Sequence, residues 1–212
     1  MSFIVFEGLD GAGKSSLIEG LKQKLLEMQQ DFVFTREPGG TPLAEELREI
    51  ILRNEGEAPC PRTELLLYEA ARAQHVHHFI QPALKEKKWV ICDRFTASTF
   101  AFQKGGRSLN ETDIHWLNSF ATDGLKPDIT VLLDLPVEVS RKRTNQRVEA
   151  TGVEKDRFEL EADDFHQKVR NAYLELAHLE KDSWIILDAT KSPEDVKKDF
   201  FNALIDKAVI NE

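Results

Sequence analysis

Five short apolar runs punctuate the chain, at Phe3–Glu7, Phe32–Arg36, Trp89–Asp93, Ile129–Asp134 and Trp184–Asp188. Each has the length of a strand. Four are mainly β-branched or apolar throughout, the pattern of strands covered on both faces. Between them, apolar residues recur at helical spacing. This predicts helices over about 14–29, 42–53, 63–87, 111–123, 136–148, 161–180 and 193–208. Pro42, Pro136 and Pro193 sit near predicted helix starts, where proline is tolerated. Strands that alternate with helices predict a parallel, doubly wound α/β sheet. No repeat, low-complexity tract or linker divides the pattern, so one domain spanning 1–212 is expected. The polar segment 148–160, which carries Gly152, reads as a flap between two helices.

The loop between the first run and the first helix changes the picture most. Gly8-Leu9-Asp10-Gly11-Ala12-Gly13-Lys14-Ser15 follows the strand-like run Phe3-Ile4-Val5-Phe6. It precedes Leu17, Ile18, Leu21, Leu25 and Met28, an apolar face at helical spacing. Strand, glycine loop and helix together form a phosphate-binding P-loop. The glycines let successive N–H groups point at phosphate oxygens, with the helix N-terminus behind them. Lys14 would reach the β- and γ-phosphates, and the Ser15 hydroxyl would ligate Mg²⁺, with Ser16 next on the helix. A nucleoside triphosphate is therefore the expected ligand.

Charge and cysteine usage narrow the setting. The formal net charge is −9 over 212 residues. That balance excludes an extended nucleic-acid surface and binding to anionic membranes, both of which need basic excess. A phosphate ligand must then be met by a local basic cluster. No apolar run approaches the length of a spanning helix, and the N-terminus has no signal-peptide pattern. Of the two cysteines, Cys92 lies in an apolar run and is expected as a buried free thiol. A reducing cytoplasm is the expected compartment.

Further chemistry falls at strand ends, where open α/β sheets bind ligands. Arg36-Glu37-Pro38-Gly39-Gly40-Thr41 follows the second run, and Asp93-Arg94 ends the third. An acidic residue beside the P-loop strand is placed to hold Mg²⁺, and Arg94 could fork onto a phosphate of a second substrate. Tyr68 and Arg72 are four apart on a helix and share a face, a plane and a fork suited to a flat base. Segment 141–157 holds Arg141, Lys142, Arg143, Arg147, Lys155 and Arg157 against three acidic residues. Arg143 and Arg147, one turn apart, are expected to converge on one target and stabilise a transferring phosphoryl group. His75-Val76-His77-His78 lacks convincing ligand partners for a metal and reads as a helix surface. A phosphotransferase and a nucleotide-dependent switch both remain open on these residues. The nearest guanine-type motif, Thr190-Lys191-Ser192-Pro193, has proline where the aspartate belongs.

These motifs, in this order and spacing from Phe3 to about Val196, resemble bacterial thymidylate kinases. The P-loop with Asp10, the segment Phe34-Thr35-Arg36-Glu37-Pro38-Gly39-Gly40-Thr41 and Asp93-Arg94-Phe95 carry the likeness. So do Ala101-Phe102-Gln103 with Gly105-Gly106-Arg107, Asp156-Arg157-Phe158-Glu159, and Tyr173-Leu174-Glu175-Leu176-Ala177. The resemblance implies a P-loop nucleoside-monophosphate-kinase fold: a five-stranded parallel sheet, helices on both faces and a short lid at about 141–160. It implies phosphoryl transfer from ATP with Mg²⁺ to thymidine monophosphate, and a homodimer. Gly8 to Ser16 would hold ATP, and Ser15 and Asp93 the metal. Arg36 and Arg94 would hold the acceptor phosphate. Tyr68 would stack on thymine, Arg72 and Gln103 would bond its edge, and Pro38 and Phe102 belong with the substrate contacts. Asp10 would contact the 3′-hydroxyl or organise the metal. Because Gly11 follows Asp10, the catalytic arginine would come from the lid, from Arg147 helped by Arg143, acting with Lys14. Two positions depart from the family pattern: Phe102 stands where tyrosine is frequent, and Ala97 where aspartate is.

Overall fold

In the computed structural model, which describes residues 2–210, all five apolar runs are strands. They are β1 (Phe3–Glu7), β2 (Phe32–Arg36), β3 (Trp89–Asp93), β4 (Ile129–Asp134) and β5 (Trp184–Asp188). Every pairing is parallel, in the order β2-β3-β1-β4-β5. The register sets Phe6 opposite Asp93 and Arg36 opposite Asp93. Glu7, Arg36 and Asp93 therefore end three adjacent strands at one edge of the sheet. That is the edge where ligands bind in open α/β sheets.

Alternation along each strand builds two cores. Ile4 and Phe6 pack with Leu17, Leu21 and Leu25 of α1 (Lys14–Glu27) and with Phe200 and Leu204 of α9 (Pro193–Asp206). Phe3 and Val5 face the other way, toward Val90, Cys92, Phe95 and Ile80. On that same side lie α2 (Pro42–Leu52), α3 (Pro61–His75) and α6 (Glu111–Thr122), packed on one another. Cys92 is buried and Cys60 exposed, both as free thiols.

The helices differ from expectation in three places. The single helix expected over 63–87 is α3, then a π-helical turn at Val76–Ile80, then α4 (Gln81–Lys85). Pro82 lies in the first turn of α4 and has no N–H to donate, so the widened turn absorbs the break. The stretch after β3 forms α5 (Thr96–Thr99) and a second π-helical turn at Phe100–Gly106, neither of which periodicity predicts. Gly105 and Gly106 lie so close to α8 (Asp163–Leu179) that a Cβ on Gly105 would fall 2.8 Å from the Lys168 carbonyl oxygen. The expected flap also begins later. Helix α7 (Val137–Thr151) runs three residues past 148 and stops at Gly152, whose φ of +69° is the left-handed stop that glycine supplies.

The two sides of α1 offer a direct check on the core. Leu21 is fully buried and Leu26, five residues on, is 58% exposed. Leu21→Ala should cost about 2–5 kcal/mol in urea unfolding. Leu26→Ala should cost no more than about 0.5 kcal/mol. Equal losses would contradict the assigned face of α1.

Candidate active site

The P-loop closes under β1 for reasons visible in its backbone. Gly8 has φ +133°, and a Cβ there would lie 2.5 Å from the Leu133 carbonyl oxygen. Gly13, at φ +98°, turns the chain into α1. Lys14 is buried, and its ammonium donates to the carbonyls of Gly8 and Leu9 at 3.2 and 3.3 Å. Burial and the nearby Arg94 charge push its pKa down, against Asp93, Asp10 and Glu7. Around this loop opens a cleft lined by Asp10, Gly11, Gly13, Lys14, Ser15 and Ser16. Arg36, Glu37, Arg48, Asp93, Arg94 and Arg147 complete it. Asp93 Oδ1 is buried there without a hydrogen-bond partner.

A second cleft adjoins the first. Tyr68, Arg72, Phe102, Phe158, Leu52 and Pro38 line it, with Ser98, Thr99 and Asp156. The two clefts share Asp10, Glu37, Arg48 and Arg94. Arg94 thus stands where they meet. Its φ is +69°, a left-handed backbone uncommon outside glycine and typical of functional sites. Its guanidinium donates to Asp10 Oδ1 at 2.8 Å and to the Tyr173 hydroxyl at 3.1 Å, and lies over the Phe102 ring. Burial pushes the Asp10 carboxyl up, but Arg94 and Lys14 together hold it down at about 2. Burial, reinforced by Glu64, pushes the Tyr68 phenol up, so it stays neutral.

A P-loop cleft and an aromatic, arginine-walled cleft meeting at one half-buried guanidinium fit a two-substrate phosphotransferase. The family model for thymidylate kinase matches residues 6–200. The chain is 55% identical to the thymidylate kinase of Bdellovibrio bacteriovorus, over 99% of this chain and 98% of that one. It is 50% identical to that of Geotalea uraniireducens, over 92% of both. It is 47% identical to that of Latilactobacillus sakei, over 91% of this chain and 89% of that one. The chain belongs to the thymidylate kinase family.

The lid of this thymidylate kinase family member is pinned at both ends. Ser140 on α7 donates to the Asp10 carbonyl at 2.6 Å. At the other end Arg157 donates to the Ile51 carbonyl and to Glu64 Oε2, at 2.8 and 2.7 Å. Arg143 and Arg147 do not converge as expected. Arg143 spans the carbonyls of Gly11 and Ala189, each at 3.1 Å, whereas Arg147 lines the P-loop cleft and donates to Glu159 Oε2 at 2.9 Å. One turn apart, the two side chains find different acceptors.

Most other expected residues border one of the two clefts. Tyr68, Arg72, Pro38 and Phe102 wall the second cleft, while Arg36, Asp93, Ser15 and Ser16 border the first. Gln103 does not. It is fully buried in the π-helical turn and donates to Glu64 Oε1 at 2.8 Å, away from both clefts. His75 is also misplaced by the helix-surface reading, since it is fully buried between Thr35 and Glu37. Arg48 went unrecognised, although it borders both clefts and donates to the Pro38 carbonyl at 2.9 Å. Its signal was an arginine in the Ala44-Arg48-Leu52 stripe of an amphipathic helix. Burial and neighbouring Arg36 push its pKa down.

Proposed function

We propose that this protein transfers the γ-phosphoryl group of ATP to thymidine 5′-monophosphate. The observation that carries the reading is the pair of clefts sharing Arg94 and Asp10. ATP would lie along Gly8 to Ser16, with its β- and γ-phosphates at Lys14. The monophosphate would occupy the second cleft, its base on Tyr68 and against Arg72, and its phosphate reaching Arg94, with Arg36 and Arg48 behind. A phosphate oxygen of the acceptor forms the new bond to the γ-phosphorus as the bond to the β–γ bridging oxygen breaks, and ADP leaves with the electron pair. No proton need be removed, so the residues chiefly position two anions and neutralise charge. Mg²⁺ would be held by Ser15 and Asp93, whose buried unpartnered Oδ1 fits a cation, and when bound it would supply charge neutralisation on the phosphates. Asp10 would keep Arg94 oriented.

The lid, at about 141–160 of a single domain 1–212, would exclude water from the transfer. Gly11 supports a lid origin for the catalytic arginine. A Cβ there would lie 3.0 Å from Arg143 Cβ, so α7 fills the space a P-loop side chain would need. Arg147, at the cleft wall, is then the arginine finger, and Arg143 braces the loop. The cytoplasm, where nucleotides are made and used, is the proposed compartment. Among the described residues no helix is long and apolar enough to cross a membrane.

A homodimer completes the reading. Leu66 of α3 and Trp116 and Phe120 of α6 are exposed, the two rings stacked with centroids 5.6 Å apart. Such side chains on two helices that pack together favour a second copy as the occupant.

Three measurements test these proposals. In a coupled assay of ADP release, thymidine monophosphate should be turned over well ahead of other nucleoside monophosphates, and ATP alone should give almost none. Preference for another monophosphate overturns the substrate. Arg147→Ala should lower kcat by about 10³–10⁵ while moving either KM little, with partial recovery in Arg147→Lys, which keeps charge but not the planar fork. A raised KM for ATP at unchanged kcat would make Arg147 a donor anchor instead. Sedimentation velocity should read a dimer that Trp116→Glu with Phe120→Glu converts to monomer, and a monomeric wild type would overturn the dimer.

A further inference from the structure

Four buried polar residues form a continuous chain behind the second cleft. Thr35 Oγ1 lies 2.6 Å from His75 Nε2. His75 Nδ1 lies 2.9 Å from Glu37 Oε1. Glu37 Oε2 accepts from Arg72 Nε at 2.8 Å and also lies 2.8 Å from Arg72 Nη2. A neutral imidazole satisfies the geometry, with Nδ1–H donating to Glu37 and Nε2 accepting from the threonine hydroxyl. Every member is at most 5% exposed. Gly40 closes the mould: at φ +85°, its Cβ would fall 2.5 Å from His75 Nε2 and 2.6 Å from Thr35 Oγ1.

The far end of the chain is what gives it a task. Arg72 lines the second cleft. Its Nη1 is used by Glu69, Thr99 and Asn118, at 2.9, 2.8 and 2.9 Å. Nε and one side of Nη2 are held by a single oxygen of Glu37. Among the described residues, one N–H of Nη2 is left without an acceptor. The guanidinium plane cannot turn without breaking the contact to Glu37, and Glu37 cannot turn without breaking the contact to His75. Both His75 nitrogens are engaged, so losing either partner would leave a buried polar atom unsatisfied.

We propose that His75, with Thr35 and Glu37, is a positioning relay that fixes Arg72 and thereby sets selectivity for a pyrimidine monophosphate with a carbonyl at the edge Arg72 meets. The proposal rests on the substrate reading above. A fixed donor favours a carbonyl and rejects an exocyclic amine, which also donates. A loosened guanidinium would lose both preferences.

The test compares His75→Leu, His75→Asn and Thr35→Val with wild type, using thymidine and deoxycytidine monophosphates as acceptors. His75→Leu should raise the KM for thymidine monophosphate about tenfold and leave the KM for ATP within about twofold. It should also narrow the ratio of kcat/KM between the two acceptors. His75→Asn, which keeps a donor toward Glu37, should recover much of both. Thr35→Val removes one hydroxyl at nearly constant shape and should shift the same two readouts by a smaller factor. If His75→Leu does not fold, Thr35→Val decides. Unchanged acceptor KM and selectivity in folded variants, or equal rises in both KM values, would overturn the relay. Wild-type protein that does not phosphorylate thymidine monophosphate would overturn the substrate reading itself.

Discussion

The site hangs on buried carboxylates that grip arginines from behind. Glu7, at the end of β1, is fully buried and accepts from the backbone of Phe95 and Ser98 and from the Ser98 and Tyr173 hydroxyls. Tyr173 and Ser98 in turn contact Arg94. Glu37, one residue past β2, holds Arg72. Glu64, on α3, takes Arg107, Arg157 and the Gln103 amide. Burying such groups is expensive, and removing one partner strands the other. In return each guanidinium is fixed before any ligand arrives. An acidic chain can therefore present a basic cleft, because its acidic residues inside are spent on orientation and those outside keep it in solution.

This arrangement explains why a parallel sheet suits the task. Its register brings Glu7, Arg36 and Asp93 to one edge through the strand pairings alone. Helix α1 then starts directly beneath, and the P-loop needs only glycine backbone to join the two. The burial of Glu7 also pushes its carboxyl pKa up, against Arg94, Ser98, Phe95 and Tyr173. Four hydrogen-bond donors converge on a group that would otherwise prefer to be neutral, so its geometry is determined from several elements at once.

What the sequence made legible follows from how locally each feature is encoded. The strands are continuous apolar runs closed by charged residues, and all five have the bounds read from the pattern. The P-loop is contiguous, so its strand, glycines and lysine could be read together. Tyr68 and Arg72 share one helix turn, and spacing alone placed them on one wall. The failures are residues whose partners lie far along the chain. Gln103 turns away because Glu64, 39 residues earlier, takes its amide. His75 is drawn inward by Thr35 and Glu37 on another element. Arg143 and Arg147 split because Gly11 and Ala189 offer carbonyls to one and Glu159 a carboxylate to the other. No periodicity carries those pairings. The π-helical turn at Phe100–Gly106 escaped for a related reason: its shape is set by Gly105 and Gly106 lying against α8.

The roof over the P-loop constrains where a catalytic cation can originate. Helix α7 is tied to the loop through Ser140 and Arg143, and it fills the space above Gly11. A Cβ at Gly11 would press on Arg143 Cβ of that helix at 3.0 Å, and the Gly11 φ of +76° is itself unfavourable for any residue but glycine. On the proposed reading the cation then comes from α7, the roof. On α7, Arg147 is two turns beyond Ser140 and borders the cleft. Its partner Glu159, buried with one carboxylate oxygen unpartnered, sits within the lid rather than on the sheet. Arginine and counter-ion therefore belong to one segment of the chain. On the proposed reading, closing the lid delivers an arginine already oriented, and the exchange of Glu159 for a phosphoryl oxygen costs less than ordering a free side chain from solvent.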